Sequence, residues 1–235
     1  MRDALRVAIV GAESTGKTAL ARALAGRLAE LTGRRCTWVG EWLRRWCERE
    51  GRTPRPDEQA AIARHQQALI DEAAADHDLV ICDTTALMTA VYSDLLFGDR
   101  SLLPFAVEQQ RRCDLTLLTA LDIAWVPDGL QRDGPQVREP VDCRVRALLI
   151  GHRLPWALVA GQGALRLEAA LDAVTPLLRG RAAPGSGLFT RLAARDAAGL
   201  AEVQAWTWRC ENCDAPDCEH AALRLHRGCS GSSCN

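Results

Sequence analysis

Leu5-Arg-Val-Ala-Ile-Val-Gly-Ala-Glu-Ser-Thr-Gly-Lys-Thr18 decides the reading of this chain. An apolar run of strand type ends at Gly11, the pattern G-x-x-x-x-G-K-T follows, and an Ala/Leu-rich helical stretch begins at once. This order of strand, loop and helix is the setting in which a phosphate-binding loop works. Gly11 and Gly16 permit backbone angles that a side chain would block. The amides of Glu13, Ser14, Thr15, Gly16, Lys17 and Thr18 can then turn inward around a phosphate at the positive end of the next helix. Lys17 is placed for the β- and γ-phosphates, and the Thr18 hydroxyl for Mg²⁺. ATP with Mg²⁺ is the expected ligand.

Composition bounds the rest. The 235 residues suit one α/β domain with a small addition, and 48% hydrophobic residues supply a core. Twenty-nine basic residues against 30 acidic ones leave a net charge of −1, so no basic surface points to nucleic acid and no cationic block to a membrane. The apolar stretch after Arg6 is short and runs straight into the loop, so no signal peptide is read, and a cytoplasmic protein is expected. Of ten cysteines, five crowd into the last 26 residues. In a reducing compartment such crowding points to metal before disulfide.

Strand candidates recur at Leu5–Val10, Cys36–Val39, Leu79–Cys82, Leu115–Leu118 and Trp156–Val159, each rich in Val, Ile or Leu, as strands covered on both faces are. Helical stretches alternate with them. One is Lys17–Leu31; another starts at Pro56-Asp57-Glu58 and places Ile62, Leu69, Ile70 and Ala73 on one face; a third follows Thr85. The pattern predicts an α/β fold, a five-stranded parallel sheet flanked by helices. The domain is expected over 1–180. A Pro/Gly/Ser linker and helix follow over 181–208, and a Cys-rich appendage over 209–235.

Asp83 ends the third strand, where a carboxylate holds Mg²⁺ in P-loop proteins, with Thr84 beside it as a substrate contact; the competing role for Asp83 is a helix cap. Glu41 follows the second strand and stands at a carboxyl end, the ligand-binding edge of such sheets. It can accept a proton from a hydroxyl or bind ribose hydroxyls, and the Trp42 indole can stack on a ring. Arg45 is counted with them on the substrate side. The other reading is an amphipathic helix with Trp inward and Arg in water. Arg132 and Arg138 sit in a Gly/Pro-bearing stretch, either as a lid over the moving phosphoryl group or as solvated charges.

Four stretches together resemble the ribosylnicotinamide kinase domain of NadR-type proteins of NAD biosynthesis, within the NadR-like AAA group. They are the loop Gly11–Thr18 with its internal Glu-Ser, the segment Glu41-Trp-Leu-Arg-Arg-Trp46, the run Val80-Ile-Cys-Asp-Thr-Thr85, and Asp114-Leu-Thr-Leu-Leu118 through Trp125-Val-Pro-Asp-Gly-Leu130. The resemblance spans residues 5 to 177. It implies a nucleoside-kinase-like P-loop fold and γ-phosphate transfer from ATP to the ribose 5′-hydroxyl of a pyridine nucleoside. It also places Glu41 and Trp42 toward the substrate and makes 130–139 a lid; Trp125 is counted among the substrate contacts as well. Where the family carries Arg after D-G-L, this chain has Gln131, with Arg132 one place later. No adenylyltransferase segment precedes the loop and no helix-turn-helix is evident, so neither the bifunctional enzyme nor a repressor is expected.

Cys210-x-x-Cys213-x4-Cys218-x-His220 offers four ligands within eleven residues, a set suited to tetrahedral Zn²⁺. The leading expectation is an ATP-dependent nucleoside kinase in which Lys17, Glu41, Asp83, Arg132 and Arg138 carry the chemistry. The alternative is a regulatory ATPase that presents a metal-bound tail to a protein partner.

Overall fold

Residues 4–126 and 134–180 are described by the structure, a computed structural model. Arg132, the linker and the Cys-rich tail with Cys210, Cys213, Cys218 and His220 lie outside the described residues.

Five strands form one parallel sheet: β1 (Leu5–Val10), β2 (Cys36–Val39), β3 (Leu79–Asp83), β4 (Leu115–Thr119) and β5 (Trp156–Val159), in the order β2-β3-β1-β4-β5. All five stand where the apolar runs predict them. Two are one residue longer, and the added residue of β3 is Asp83. The central strands β1, β3 and β4 are buried almost throughout, while β2 and β5 at the edges are half-covered. That contrast follows from parallel strands with helices on both faces.

Two helices, α1 (Lys17–Thr32) and α7 (Ala164–Gly180), pack on one face. On the other lie α3 (Gln59–Asp76), α4 (Ala86–Phe97), α5 (Leu103–Gln110) and α6 (Arg138–Gly151), while the short α2 (Trp42–Glu50) leans on α3. Pro56–Glu58 is a 3₁₀ turn that leads into α3. Of the face predicted for α3, Ile62 and Ile70 are buried, and Leu69 and Ala73 are half-buried beside Val39 and Val80. No described helix is long and apolar enough to cross a membrane.

The register sets up the site. Ile9 pairs with Asp83, so the β3 carboxylate lies alongside the end of β1, where the phosphate loop departs. Thr84 follows with φ 68°, a left-handed angle costly for a β-branched residue, and its N–H donates to the Ile9 carbonyl at 3.0 Å. Thr85 caps α4, its hydroxyl accepting from Leu87 N–H. The same hydroxyl donates to Gln110 Oε1 at 2.6 Å, and Gln110 Nε2 donates to Thr116 Oγ1 at 2.7 Å. This buried chain ties the start of α4 to the end of α5 and to β4.

Replacing Gln110 by Leu leaves the Thr116 hydroxyl without its amide partner in a dry site. A loss of about 1–3 kcal/mol is expected, read as a lower urea midpoint at unchanged m-value.

Candidate active site

The loop is shaped by what its neighbours exclude. Gly11 has φ 145°, and a Cβ there would overlap the Thr119 hydroxyl and stand 3.2 Å from its carbonyl oxygen. Thr15 Oγ1 meets Thr119 Oγ1 at 2.7 Å and donates to Ala12 O at 2.8 Å. Lys17 Nζ donates to Ala12 O at 2.7 Å, which folds the ammonium back over the loop. Ser14, at φ 56°, is bound twice to Val126: its Oγ donates to the carbonyl at 3.0 Å and accepts from the N–H at 2.9 Å. The segment after β4 is thereby pinned to the loop.

Arg166, a residue the motifs do not reveal, forms a second staple. Its side chain is 4% exposed and contacts the Thr15 carbonyl and the Asp122 carboxylate, with Nε donating to Gly161 O at 2.7 Å. Arg166 is 161 residues from Leu5 at the start of the first strand, so only folding brings it beneath the loop. Burial lowers its pKa, against the pull of Asp122.

Thr18, at the first turn of α1, hydrogen-bonds Asp83, whose Oδ1 is buried without a partner. Glu41, at the N-terminus of α2, is 17% exposed and stands 3.6 Å from Arg44 Nε. Burial raises the Glu41 pKa above the ordinary carboxylate value; Lys17 opposes this and Asp83 reinforces it. Burial likewise raises Asp83, against the Thr18 hydroxyl and Lys17. Two desolvated carboxylates therefore share one lysine.

A cavity of about 330 Å³ opens beside these groups, lined by Glu13, Ser14, Lys17, Glu41, Arg44 and Thr84, and on its apolar side by Leu43, Met88, Tyr92, Leu96 and Phe97. Glu41 and Arg44 also border a second cavity of about 700 Å³, together with Thr18, Arg22, Arg45 and Asp83. Of the residues expected at the substrate, Glu41 and Thr84 line the first cavity and Arg45 lines only the second. Trp42 and Trp125 line neither. The Trp42 ring stacks on His65 with centroids 4.0 Å apart, flanked by Arg45 and Arg49. It packs against the Trp46–Ile62 cluster between α2 and α3. Helical spacing explains the arginines: position i+3 from Glu41 is Arg44, and Arg45 turns away. Arg138 opens α6, is 8% exposed, and holds Nε and Nη2 buried without hydrogen-bond partners.

The raised carboxylates set a pH signature. Between the unfolded and folded pKa of Glu41 the folded state binds more protons, so stability falls as pH rises through that window and the cost persists above it. Glu41→Gln is expected to raise the melting temperature at pH 8 by about 2–4 °C for each kcal/mol relieved. The gap should close by about pH 3, where the carboxyl is protonated in both states. Melts across pH check this, and a variant no more stable than wild type at pH 8 refutes it.

Residues 6–166 match the family described as an AAA domain. Among solved structures, NadR protein in complex with NR is 21% identical with a TM-score of 0.60, over 74% of this chain and 50% of that one. NadR protein in complex with NAD and AMP-PNP is 22% identical with a TM-score of 0.62, over 79% and 52%. The chain thus spans about half the length of those proteins. No curated protein matches it. With the phosphate loop seated at the carboxyl end of a parallel β2-β3-β1-β4-β5 sheet, and more than half of its 235 residues matched, this chain belongs to the AAA-domain family of P-loop proteins.

Proposed function

We propose that this protein is an ATP-dependent kinase that phosphorylates a small nucleoside, with the ribose 5′-hydroxyl of a pyridine nucleoside as acceptor. One observation carries the reading. A cavity with an apolar, aromatic wall opens directly beside the phosphate loop, with Lys17 and the desolvated Glu41 both in its lining. A protein that only senses or hydrolyses nucleotide has no need of such a pocket for a second molecule. The fold shared with NadR proteins carrying NR, or NAD with AMP-PNP, supports the acceptor class.

In this reading the loop amides and Lys17 hold the β- and γ-phosphates. The partnerless Asp83 Oδ1 and the Thr18 hydroxyl fit Mg²⁺, which takes one or two protein oxygens and completes its shell with phosphates and water. No cluster of three or more His, Cys, Asp or Glu suited to a metal exists among the described residues. Held by these two residues, Mg²⁺ would supply positive charge to the phosphates. Glu41 takes the proton as the acceptor oxygen bonds to the γ-phosphorus and the bond to the β-phosphate oxygen breaks, releasing ADP. Its raised pKa brings it nearer to the working pH, where a general base is most effective. Arg138 brings two unsatisfied N–H donors suited to the phosphoryl oxygens.

Lys17→Ala is expected to lower phosphoryl transfer at least ~100-fold, and Glu41→Gln about 10²–10⁴-fold, with the fold intact by circular dichroism. Activity should decline on acidification through the raised Glu41 pKa, and Glu41→Gln should remove that limb. The test resolves products by mass after incubation with ATP, Mg²⁺ and nicotinamide riboside. Background hydrolysis that no nucleoside alters would reject the kinase in favour of a regulatory ATPase.

A further inference from the structure

Arg166, the third residue of α7, is a buried cation whose three nitrogens all meet protein oxygens. Nε donates to the Gly161 carbonyl at 2.7 Å, Nη1 to the Thr15 carbonyl, and Nη2 to Asp122 Oδ1 and, at 3.4 Å, to the Ala120 carbonyl. Asp122 is fixed in turn. Its Oδ2 accepts from Gly161 N–H at 2.5 Å, and its backbone carbonyl accepts from Gln162 Nε2 at 3.2 Å. The guanidinium is thereby locked to the segment after β4 and to the turn before α7. An apolar side chain of similar volume would fill this space without the desolvation cost of an ion pair. The one contact that reaches the phosphate loop is the Thr15 carbonyl, and that is where the charge can act.

A trans peptide unit is planar, and its carbonyl and N–H point in opposite directions. With the Thr15 carbonyl held toward Arg166, the N–H of the same unit, that of Gly16, points away from it. Ser14 and Gly16, on either side of Thr15, take left-handed angles of φ 56° and 75°. Left-handed residues in such a turn gather successive N–H groups on one concave side. Gly16 has no side chain to anchor it, and a Cβ there would stand 3.3 Å from Ile123 and 3.9 Å from Arg166 Nη1. The direction of its N–H therefore rests on the grip at the Thr15 carbonyl. A cation on that carbonyl also polarises the peptide, which makes the Gly16 N–H a stronger donor.

The charge balance around the loop agrees with this. Arg138 lies within electrostatic reach of Arg166 and opposes its charge, and Arg138 keeps Nε and Nη2 without hydrogen-bond partners. Among the described residues one carboxylate, Asp122, bonds to this pair of guanidinium groups. Lys17, folded over the loop onto the Ala12 carbonyl, adds a third cation. The loop thus carries a surplus of positive charge where a polyanion would lie.

We propose that Arg166 is a positioning residue for the nucleotide: through the Thr15 carbonyl it aims the Gly16 N–H into the phosphate loop and so sets the affinity for a nucleoside polyphosphate that it does not itself touch. This inference rests on the reading of the loop as the ATP phosphate site and deepens it.

The test is calorimetric binding of ADP with Mg²⁺ to the full chain and to three variants, each titrated well below its own melting temperature. Arg166→Met fills the space without charge and should weaken ADP by about 10- to 100-fold, the worth of a hydrogen bond to a charged group. Arg166→Lys keeps the cation but not the planar fork, and should recover part of that loss. Asp122→Asn breaks the ion pair but leaves the cation on Thr15, so ADP should bind within about 3-fold of wild type, or tighter. A staple that only holds the fold together predicts equal losses in Arg166→Met and Asp122→Asn. Equal losses, or ADP binding by Arg166→Met within about 3-fold of wild type, overturn the proposal. If Arg166→Met does not fold, Arg166→Lys decides: it should weaken ADP more than Asp122→Asn does, and the reverse order overturns the proposal. Transfer from ATP is scored separately. Arg166-dependent ADP binding without transfer to any nucleoside rejects the kinase reading alone, and transfer by a protein whose ADP affinity is indifferent to Arg166 rejects this inference alone.

Discussion

The contact between the Thr15 and Thr119 hydroxyls, made possible by the missing side chain of Gly11, is the point on which the site depends. It presses the phosphate loop against the end of β4 and closes the floor of the crevice. Thr119 Oγ1 also reaches the Val10 carbonyl at 3.2 Å, so the last residue of β1, the loop and β4 share one buried polar knot. Arg166 fastens the loop from beneath by way of Thr15, and Ser14 fastens it from above by way of Val126. Three attachments converge on two loop residues, Ser14 and Thr15. The loop amides are consequently held in place before any phosphate arrives, which is where electrostatic preorganisation acts.

That rigidity is set against groups kept at a cost. Glu41 and Asp83 are desolvated carboxylates on adjoining strand ends, Thr84 and Ser14 occupy left-handed angles, and Arg138 holds two buried nitrogens without partners. Each opposes folding in isolation. Ser14, Glu41 and Thr84 line the first cavity and Asp83 the second, while other ion pairs lie away from both: Arg112 with Asp71, and Arg100 and Arg144 with Asp94 between α4 and α6. Strain and unmet polar capacity concentrated in one place mark a surface shaped for a ligand rather than for stability.

Much of the fold was legible in the linear order of residues. Every predicted strand is present because a parallel strand covered on both faces must be apolar along its whole length, and that composition shows without any partner in view. The phosphate loop was legible for a related reason: all its parts lie within eight consecutive residues, Gly11 to Thr18. Glu41, Asp83 and Thr84 were readable as strand-end residues, because the end of an apolar run marks the edge where such sheets bind ligands. Trp42 and Arg45 were harder. A one-residue step along a helix turns a side chain by about 100°, and which face meets the crevice depends on how α2 leans on α3.

The sequence by itself determined the sheet, the loop and the class of ligand, because these rest on local periodicity and on residues adjacent in the chain. Tertiary structure alone decided that Asp83 would lie beside the loop through its pairing with Ile9, and that Arg166 would brace the loop from 151 residues beyond Thr15. It alone brought Gln59 of α3 into the lining of one cavity with Tyr92 and Phe97 of α4. Those relations depend on strand order and helix packing, which bring together side chains that no spacing in the chain connects.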